Sequence, residues 1–309
     1  MKTSSPLTIG GFLITLLGAI LFSTKAIFVK LAFRYTPVDA VSLLALRMLL
    51  AMPFYLVAAF IAFRRTGPAI TGKQFGYICA MGLMGYYISS LFDFLGLQYI
   101  SAGLERLILF LYPTFAVLIN LMLFKQKISK FQGQALALTY AGILLAFASE
   151  LQITSGSSTV IWGSFLVFLC AVTYSIYIVG TGRLVQQVPV TLFTAYAMLA
   201  ATFGIMIHFL LRGRFDVFTM GPFVWLFGLL LAIIATVIPS FLLNTGMKRL
   251  GSNNVAIILA IGPVSTILQA YLFLGEKITV LQIVGTLLVI AGVLLIGWKR
   301  NADQSGKNK

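Results

Sequence analysis

Apolar residues run through this chain in ten blocks of about 18 to 26 residues, separated by short polar or helix-stopping breaks. The blocks cover 8–31, 40–63, 75–97, 101–124 and 131–149, then 160–182, 190–211, 222–247, 252–274 and 280–298. A helix of roughly 20 apolar residues is long enough to cross a bilayer. Each block is therefore read as a membrane span. The breaks carry the expected punctuation, such as Tyr35-Thr36-Pro37, Arg64-Arg65-Thr66-Gly67-Pro68, Arg212-Gly213-Arg214 and Gly275-Glu276-Lys277.

The pattern is written twice. Gly96 to Ala146 aligns without a gap on Gly246 to Ile296. Gly96 matches Gly246, Pro113 matches Pro263, Lys127-Ile128 matches Lys277-Ile278, Gln132 matches Gln282, and Ala141-Gly142 matches Ala291-Gly292. Nearer the start of each half, Phe22-Ser23 faces Tyr174-Ser175 and Pro37-Val38 faces Pro189-Val190. Five spans per half is an odd number, so two halves of like fold sit upside down to one another. The predicted fold class is all-α integral membrane, ten transmembrane helices as two inverted five-helix repeats. Residues 1–151 form the first repeat and 160–300 the second, with a Ser/Thr/Gly linker at 154–158 and a polar, disordered cytoplasmic tail at 301–309. Inverted repeats place a binding site near the midplane, where the halves meet.

Composition supports this reading: 60% of residues are hydrophobic, 9% are charged, and the mean hydropathy is +1.02. So little charge does not cover a water-facing surface, which in soluble domains carries about 25% charged residues. The net charge of +15 looks like a nucleic-acid signal until it is placed. With the N-terminus inside, inner loops and termini hold fourteen Lys and Arg residues and outer loops hold five (Lys30, Arg34, Arg212, Arg214 and Lys277). The positive-inside rule then puts both termini in the cytoplasm of a multi-pass protein of the inner (plasma) membrane. No nucleic-acid partner is expected. No cleavable signal peptide is expected either, because Lys25 falls where one would end. Cys79 and Cys170 lie within spans, far from any His, and read as packing residues.

Five charges fall inside the spans, and intramembrane charge is costly enough to need an account. Lys25, Arg47, Asp93, Glu105 and Arg106 all belong to the outer half of the first repeat. Lys25 either snorkels to the interface or faces a cavity. Arg47 is deeper; it either pairs with Asp93 or Glu105 to hold helices together, or binds a substrate carboxylate. Asp93 lies close enough to the span end to be solvated. Glu105 and Arg106 are adjacent and point to different helix faces, so one is expected inside and the other at the interface. Ser23 and Tyr174 occupy equivalent places on the first span of each half. Tyr86 and Tyr87 sit mid-span, where a hydroxyl needs a partner, so one of them is expected to line a cavity. The predicted substrate-binding set is Arg47, Lys25, Tyr86, Tyr87, Ser23 and Tyr174, with Glu105 and Asp93 as proton-coupling candidates. Pro113 and Pro263 are predicted kinks at matching depths. Glu276, at a span end, is expected to cap a helix or pair there. His208, near a span end, is a packing or interfacial residue or a titrating one.

No catalytic residue, metal site or cofactor is expected. There is one His, no His-Glu-x-x-His, and no Gly-x-x-x-x-Gly-Lys-Ser/Thr loop for direct ATP drive. The expected partners are the lipid bilayer, a small-molecule metabolite and protons; oligomeric state is open.

The chain also resembles a known family. Leu46-Arg47, the Gly-Leu-Gln-Tyr-Ile-Ser-Ala run at 96–102, Tyr112-Pro113, Gly262-Pro263, Leu274-Gly275-Glu276-Lys277 and the Gly285 to Gly292 stretch are similar to proteins of the drug/metabolite transporter superfamily with two EamA domains. The first half departs from that pattern where Lys125-Gln126-Lys127 replaces the Gly-Glu. The resemblance implies secondary transport, often export, of amino acids, nucleotides, vitamins or other metabolites. The expected activity is alternating-access export of a small polar metabolite such as an amino acid or carboxylate. The alternative is proton-coupled export of cationic drugs or lipophilic cations, with Glu105 or Asp93 as the counter-ion and Arg47 structural.

Overall fold

A computed structural model describes residues 9–66, 70–124, 130–153, 157–184, 188–250, 258–259 and 261–306. All regular structure among them is helical. Six helices are long and apolar enough to cross a membrane: Ile9–Tyr35, Ala40–Arg65, Gly72–Gly96, Ser158–Thr181, Val190–Arg212 and Pro222–Leu243. Shorter apolar helices include Gly262–Leu274 and Val280–Gly292. With the broken fourth span, Ala102–Leu109 and Tyr112–Phe124, and the fifth, Lys130–Ile153, they make ten passes in two inverted five-helix repeats.

The burial pattern is that of a protein dissolved in lipid. Leu13, Phe60, Phe203 and Leu211 are exposed at 56%, 60%, 70% and 76%, whereas all five intramembrane charges are at most 7% exposed. Apolar side chains face outward because lipid tails are as apolar as leucine. Charges turn inward because no water outside the bundle solvates them.

Three spans of the first half start where the sequence supplies a side-chain cap. Asp39 opens the second span, its Oδ1 accepting from Ser42 N–H at 3.0 Å. Thr71 and Gln74 form a capping box at the third. Ser101 Oγ accepts from Leu104 N–H at 3.1 Å at the fourth. The tenth helix extends to Gly306, so the polar tail read as disordered is helical that far; nothing from Lys299 to Gln304 breaks a helix. Residues 154–156 of the expected linker and 307–309 lie outside the described residues.

The halves interlock by exchange. The first span packs against the eighth and ninth, and the sixth packs against the third and fourth. The second span pairs with the seventh, and the fifth with the tenth. In the last pair the backbones touch: a Cβ on Gly142 would lie 2.4 Å from the Gly285 carbonyl oxygen, and one on Gly285 would lie 2.5 Å from that of Gly142. Gly142 therefore makes its close approach with Gly285. Gly142→Leu is expected to destabilise the fold by about 1–3 kcal/mol through overpacking. An unchanged thermal melt of the purified variant would mean that these two helices do not meet there.

Two irregularities recur at the 150-residue offset of the repeat. The third span widens into a π-helix at Leu83–Ile88, and the eighth at Ile233–Val237. In the eighth, the Thr236 hydroxyl donates to the Leu231 carbonyl at 2.7 Å, five residues back. The fourth and ninth spans break just before their prolines. Leu111 N–H bonds Ile108 O at 3.0 Å and Ile261 N–H bonds Ile258 O at 3.2 Å, a tightened turn in both halves. Pro113 and Pro263 have no N–H to carry the helix across this point.

Candidate functional site

The recurring irregularities surround the centre of the bundle, and there a pair of serines marks the symmetry. Ser23 Oγ donates to the Gly262 carbonyl at 3.4 Å, while Ser175 Oγ donates to the Tyr112 carbonyl at 2.9 Å. Each hydroxyl thus reaches from the first helix of one half to the residue before the conserved-in-repeat proline of the other. The polar interior between them falls into three groups.

The first is an ion cluster. Lys25 Nζ lies 2.7 Å from Asp93 Oδ2. Glu105, fully buried, stands within hydrogen-bond reach of Asp93, and no cation or backbone N–H among the described residues bonds its oxygens. Lys25 therefore does not snorkel, and Asp93, at 0% exposure, is not solvated. The open choice at Lys25 and the reading of Asp93 as solvated are decided by one cause. The first span packs against the fourth as well as the ninth, which closes off the route to water from these positions.

The second group is a pair of guanidiniums. Arg47 Nε donates to Thr236 Oγ1 at 2.9 Å, and its guanidinium lies 5.5 Å from the Phe94 ring centre. It reaches across to the widened turn of the eighth span and leaves Asp93 to Lys25. Nη1 of Arg47 is buried without an acceptor. Arg106 Nη2 donates to Ser23 Oγ at 3.4 Å, and its guanidinium lies 5.3 Å from the Phe22 ring centre. Arg106 Nε is likewise buried without an acceptor. Arg106 depends on Gly262, where a Cβ would come within 2.8 Å of Nη2. The expectation that only one of Glu105 and Arg106 faces inward is corrected: both are buried, on different faces of a helix that lies in the middle of the bundle.

The third group is a run of tyrosines. Tyr86 and Tyr177 share a hydroxyl–hydroxyl bond of 2.9 Å. Tyr177 and Tyr174 stack at 5.8 Å, and Tyr174 meets Tyr112 edge to face at 5.3 Å. Tyr55 bonds Ser240 at 3.1 Å and lies within electrostatic reach of Arg47. Tyr87 points elsewhere, its hydroxyl 2.9 Å from His208 Nδ1. His208 is thus a packing partner on the seventh span. Tyr87→Phe and His208→Ala are each expected to lose about 0.5–1.5 kcal/mol, and the double variant no more than the larger single loss. Additive losses in thermal melts would mean that the bond contributes nothing.

At the end of the bundle where the first span finishes, an open cleft of about 830 Å³ is lined by Lys30, Arg34, Gln98, Glu276, Lys277 and their neighbours. Its floor is bolted across the repeats. Glu276 accepts from Ala102 N–H at 2.9 Å and Gly103 N–H at 3.3 Å, so it caps the fourth span from the other half. Gly275, at φ 69°, aims it there. Arg34 likewise crosses to the Leu274 carbonyl, whereas Lys30 Nζ donates within the first half, to the carbonyls of Leu97 and Ile100. At the opposite end an apolar groove of about 570 Å³ reaches Phe241, which stacks on Tyr55.

Exchanged inverted repeats around a buried polar core define a multi-pass membrane transporter. The chain belongs to the EamA-like transporter family, whose model matches it twice, at residues 9–148 and 161–298. It is 32% identical to the uncharacterized transporter YcbK of Bacillus subtilis, over 89% of this chain and 88% of that one. It is 27% identical to the uncharacterized transporter sll1319 of Synechocystis, over 100% and 99%. A solved crystal structure with 19% identity matches 95% of this chain and 96% of its own, with a TM-score of 0.66, and so shares the fold.

Proposed function

We propose that the protein is a secondary active transporter that exports a small carboxylate-bearing metabolite across the plasma membrane by alternating access. The observation that carries this is Arg47. Its guanidinium is 5% exposed, has no acceptor at Nη1, and lies within electrostatic reach of Tyr55 and Tyr86. A planar carboxylate is the natural acceptor for such a fork. The fourteen-to-five distribution of basic residues supports cytoplasmic termini, which turns the Glu276 cleft outward. The outward direction of transport follows the habit of the families that the chain resembles.

In this mechanism the halves, residues 1–151 and 160–300, rock about the midplane. The Glu276 cap and the Arg34 bond, which cross between the halves, hold the outer side shut. Releasing the cap frees the helix Ala102–Leu109, which carries both Glu105 and Arg106, and so moves the ion cluster and the second guanidinium together. Glu105, within hydrogen-bond reach of Asp93 and bonded to no cation, takes up the coupling proton, which it shares with Asp93. The second reading, export of a cation, is favoured by that same carboxyl.

Reconstituted vesicles separate the two. Uptake of labelled carboxylates, amino acids and lipophilic cations would be followed in the wild type and in Arg47→Ala. Loss of carboxylate or amino acid transport by at least about 30-fold, the scale of a lost buried charge-assisted bond of 2–5 kcal/mol, is expected. Unchanged transport of a cation in Arg47→Ala would move the assignment to the cation exporter.

A further inference from the structure

Arg106 was not expected to join Arg47 in the interior, and the two together say more about the substrate than either alone. The guanidiniums come from different spans and meet different partners: Arg47 from the second span against the eighth, Arg106 from the fourth against the first and ninth. Each is 5% exposed. Each spends one N–H on a hydroxyl and keeps another buried N–H without an acceptor. A tyrosine run lies in the same interior: Tyr86 bonds Tyr177 at 2.9 Å, Tyr177 stacks on Tyr174 at 5.8 Å, and Tyr174 meets Tyr112 at 5.3 Å.

The charges do not balance. Three cations and two carboxyls leave a surplus of one positive charge when both carboxyls are ionised, and of two when Asp93 and Glu105 share a proton. Lys25 is committed to Asp93 at 2.7 Å. The unmatched charge therefore rests on Arg47 and Arg106, and buried charge persists only when it is paired. A monocarboxylate would answer one guanidinium and leave the other bare. The ammonium of a zwitterion would meet two guanidiniums and a lysine, with Glu105 its one acceptor. A lipophilic cation would be repelled by both.

We infer that the substrate is a small dicarboxylate, one carboxylate held by Arg47 and the other by Arg106, with the hydroxyls of the tyrosine run between them. This rests on the reading of the bundle centre as the substrate site. The dicarboxylate's two charges complete the neutralisation when the Asp93–Glu105 pair carries one proton, so anion and proton occupy the same state. Arg106 becomes the second anchor, and Lys25 is a partner of Asp93 that does not touch the substrate.

The test is binding to the purified full chain in detergent, read by calorimetry and by thermal shift. The probes are succinate and glutarate, butyrate as the monocarboxylate of matched length, alanine and leucine as zwitterions, inorganic phosphate as a dianion with a single centre, and tetraphenylphosphonium as a cation. Succinate or glutarate is expected to bind at least tenfold more tightly than every other probe. Arg47→Gln and Arg106→Gln should each bring the dicarboxylate down to the level of butyrate, and Arg106→Lys should recover part of the loss. Butyrate, an amino acid or phosphate binding as tightly as the dicarboxylates would overturn the inference and leave a carboxylate or anion transporter standing. Binding of the cation alone, or of none of the probes, would overturn the underlying reading as well. Should a glutamine variant fail to fold, the wild-type ranking decides the matter by itself.

Discussion

Lys25→Met is expected to destabilise the protein by about 3–5 kcal/mol, the largest single loss among the interior charges. Removing the ammonium leaves Asp93 and Glu105, both 0% exposed, facing each other with no cation between them. Two carboxyls in one dry site do not both stay ionised, and the fold bears the cost of forcing a proton onto the pair. Asp93→Asn alone should be milder, because Glu105 lies within reach of Lys25 and inherits the ion pair. Lys25→Met combined with Asp93→Asn should recover most of the single loss, since an amide bonds to a carboxyl without charge. The measurement is a thermal melt of the four proteins in one detergent, read as a double-mutant cycle. Equal melting temperatures for Lys25→Met and the wild type would show that the 2.7 Å contact holds nothing together. Additive losses in the double variant would show that the two residues act separately.

The logic of that cluster also shows what a one-dimensional reading reaches. Ten spans, their inverted arrangement and the paired prolines follow from hydrophobic runs and from a repeat with a fixed offset, and the structure has the breaks at 110–111 and Ile261. Helical phase is harder. The third span carries Tyr86, Tyr87 and Asp93, and inside it Leu83–Ile88 widens to a π-helix. One extra residue in a turn rotates everything beyond it by about 100°. Counting from the start of the span therefore misplaces the faces of its second part, and no residue type announces the widening. This is why spacing alone leaves the directions of Tyr86 and Tyr87 open; Asp93 looked solvated from its depth, and the packing of the first span that covers it is not written in the local sequence. Arg106 was underrated for a related reason. Adjacent residues point apart, and the inference that one must reach the interface holds only for a helix with an interface side. The helix Ala102–Leu109 has none: every residue from Ala102 to Leu109 is buried. A better signal was available in the repeat itself. Tyr112 in one half corresponds to Gly262 in the other, and the space that the missing ring leaves is where the Arg106 guanidinium lies.

Glu105→Gln should separate proton coupling from substrate handling. Glutamine keeps the length of the side chain and donates as a protonated carboxyl does, but it neither takes up nor releases a proton. The helix that carries it remains capped by Ser101 and Glu276, and Arg47 and Arg106 keep their hydroxyl partners. Reconstituted vesicles loaded with substrate should therefore still exchange it for external label, within about threefold of wild type, because exchange needs binding and rocking alone. Net movement driven by an imposed pH gradient should fall by at least about tenfold, and the dependence of the residual rate on pH should flatten. The reasoning is that a transport cycle coupled to protons needs one group whose charge changes between the two open states, and Glu105 is the buried carboxyl not already committed to a cation at ion-pair distance. Gradient-driven transport surviving in Glu105→Gln at the wild-type rate would pass the role to Asp93, and Lys25 would then have to release Asp93 in each cycle. A loss of exchange together with net transport would instead make Glu105 part of the substrate site, as the cation-exporting reading requires.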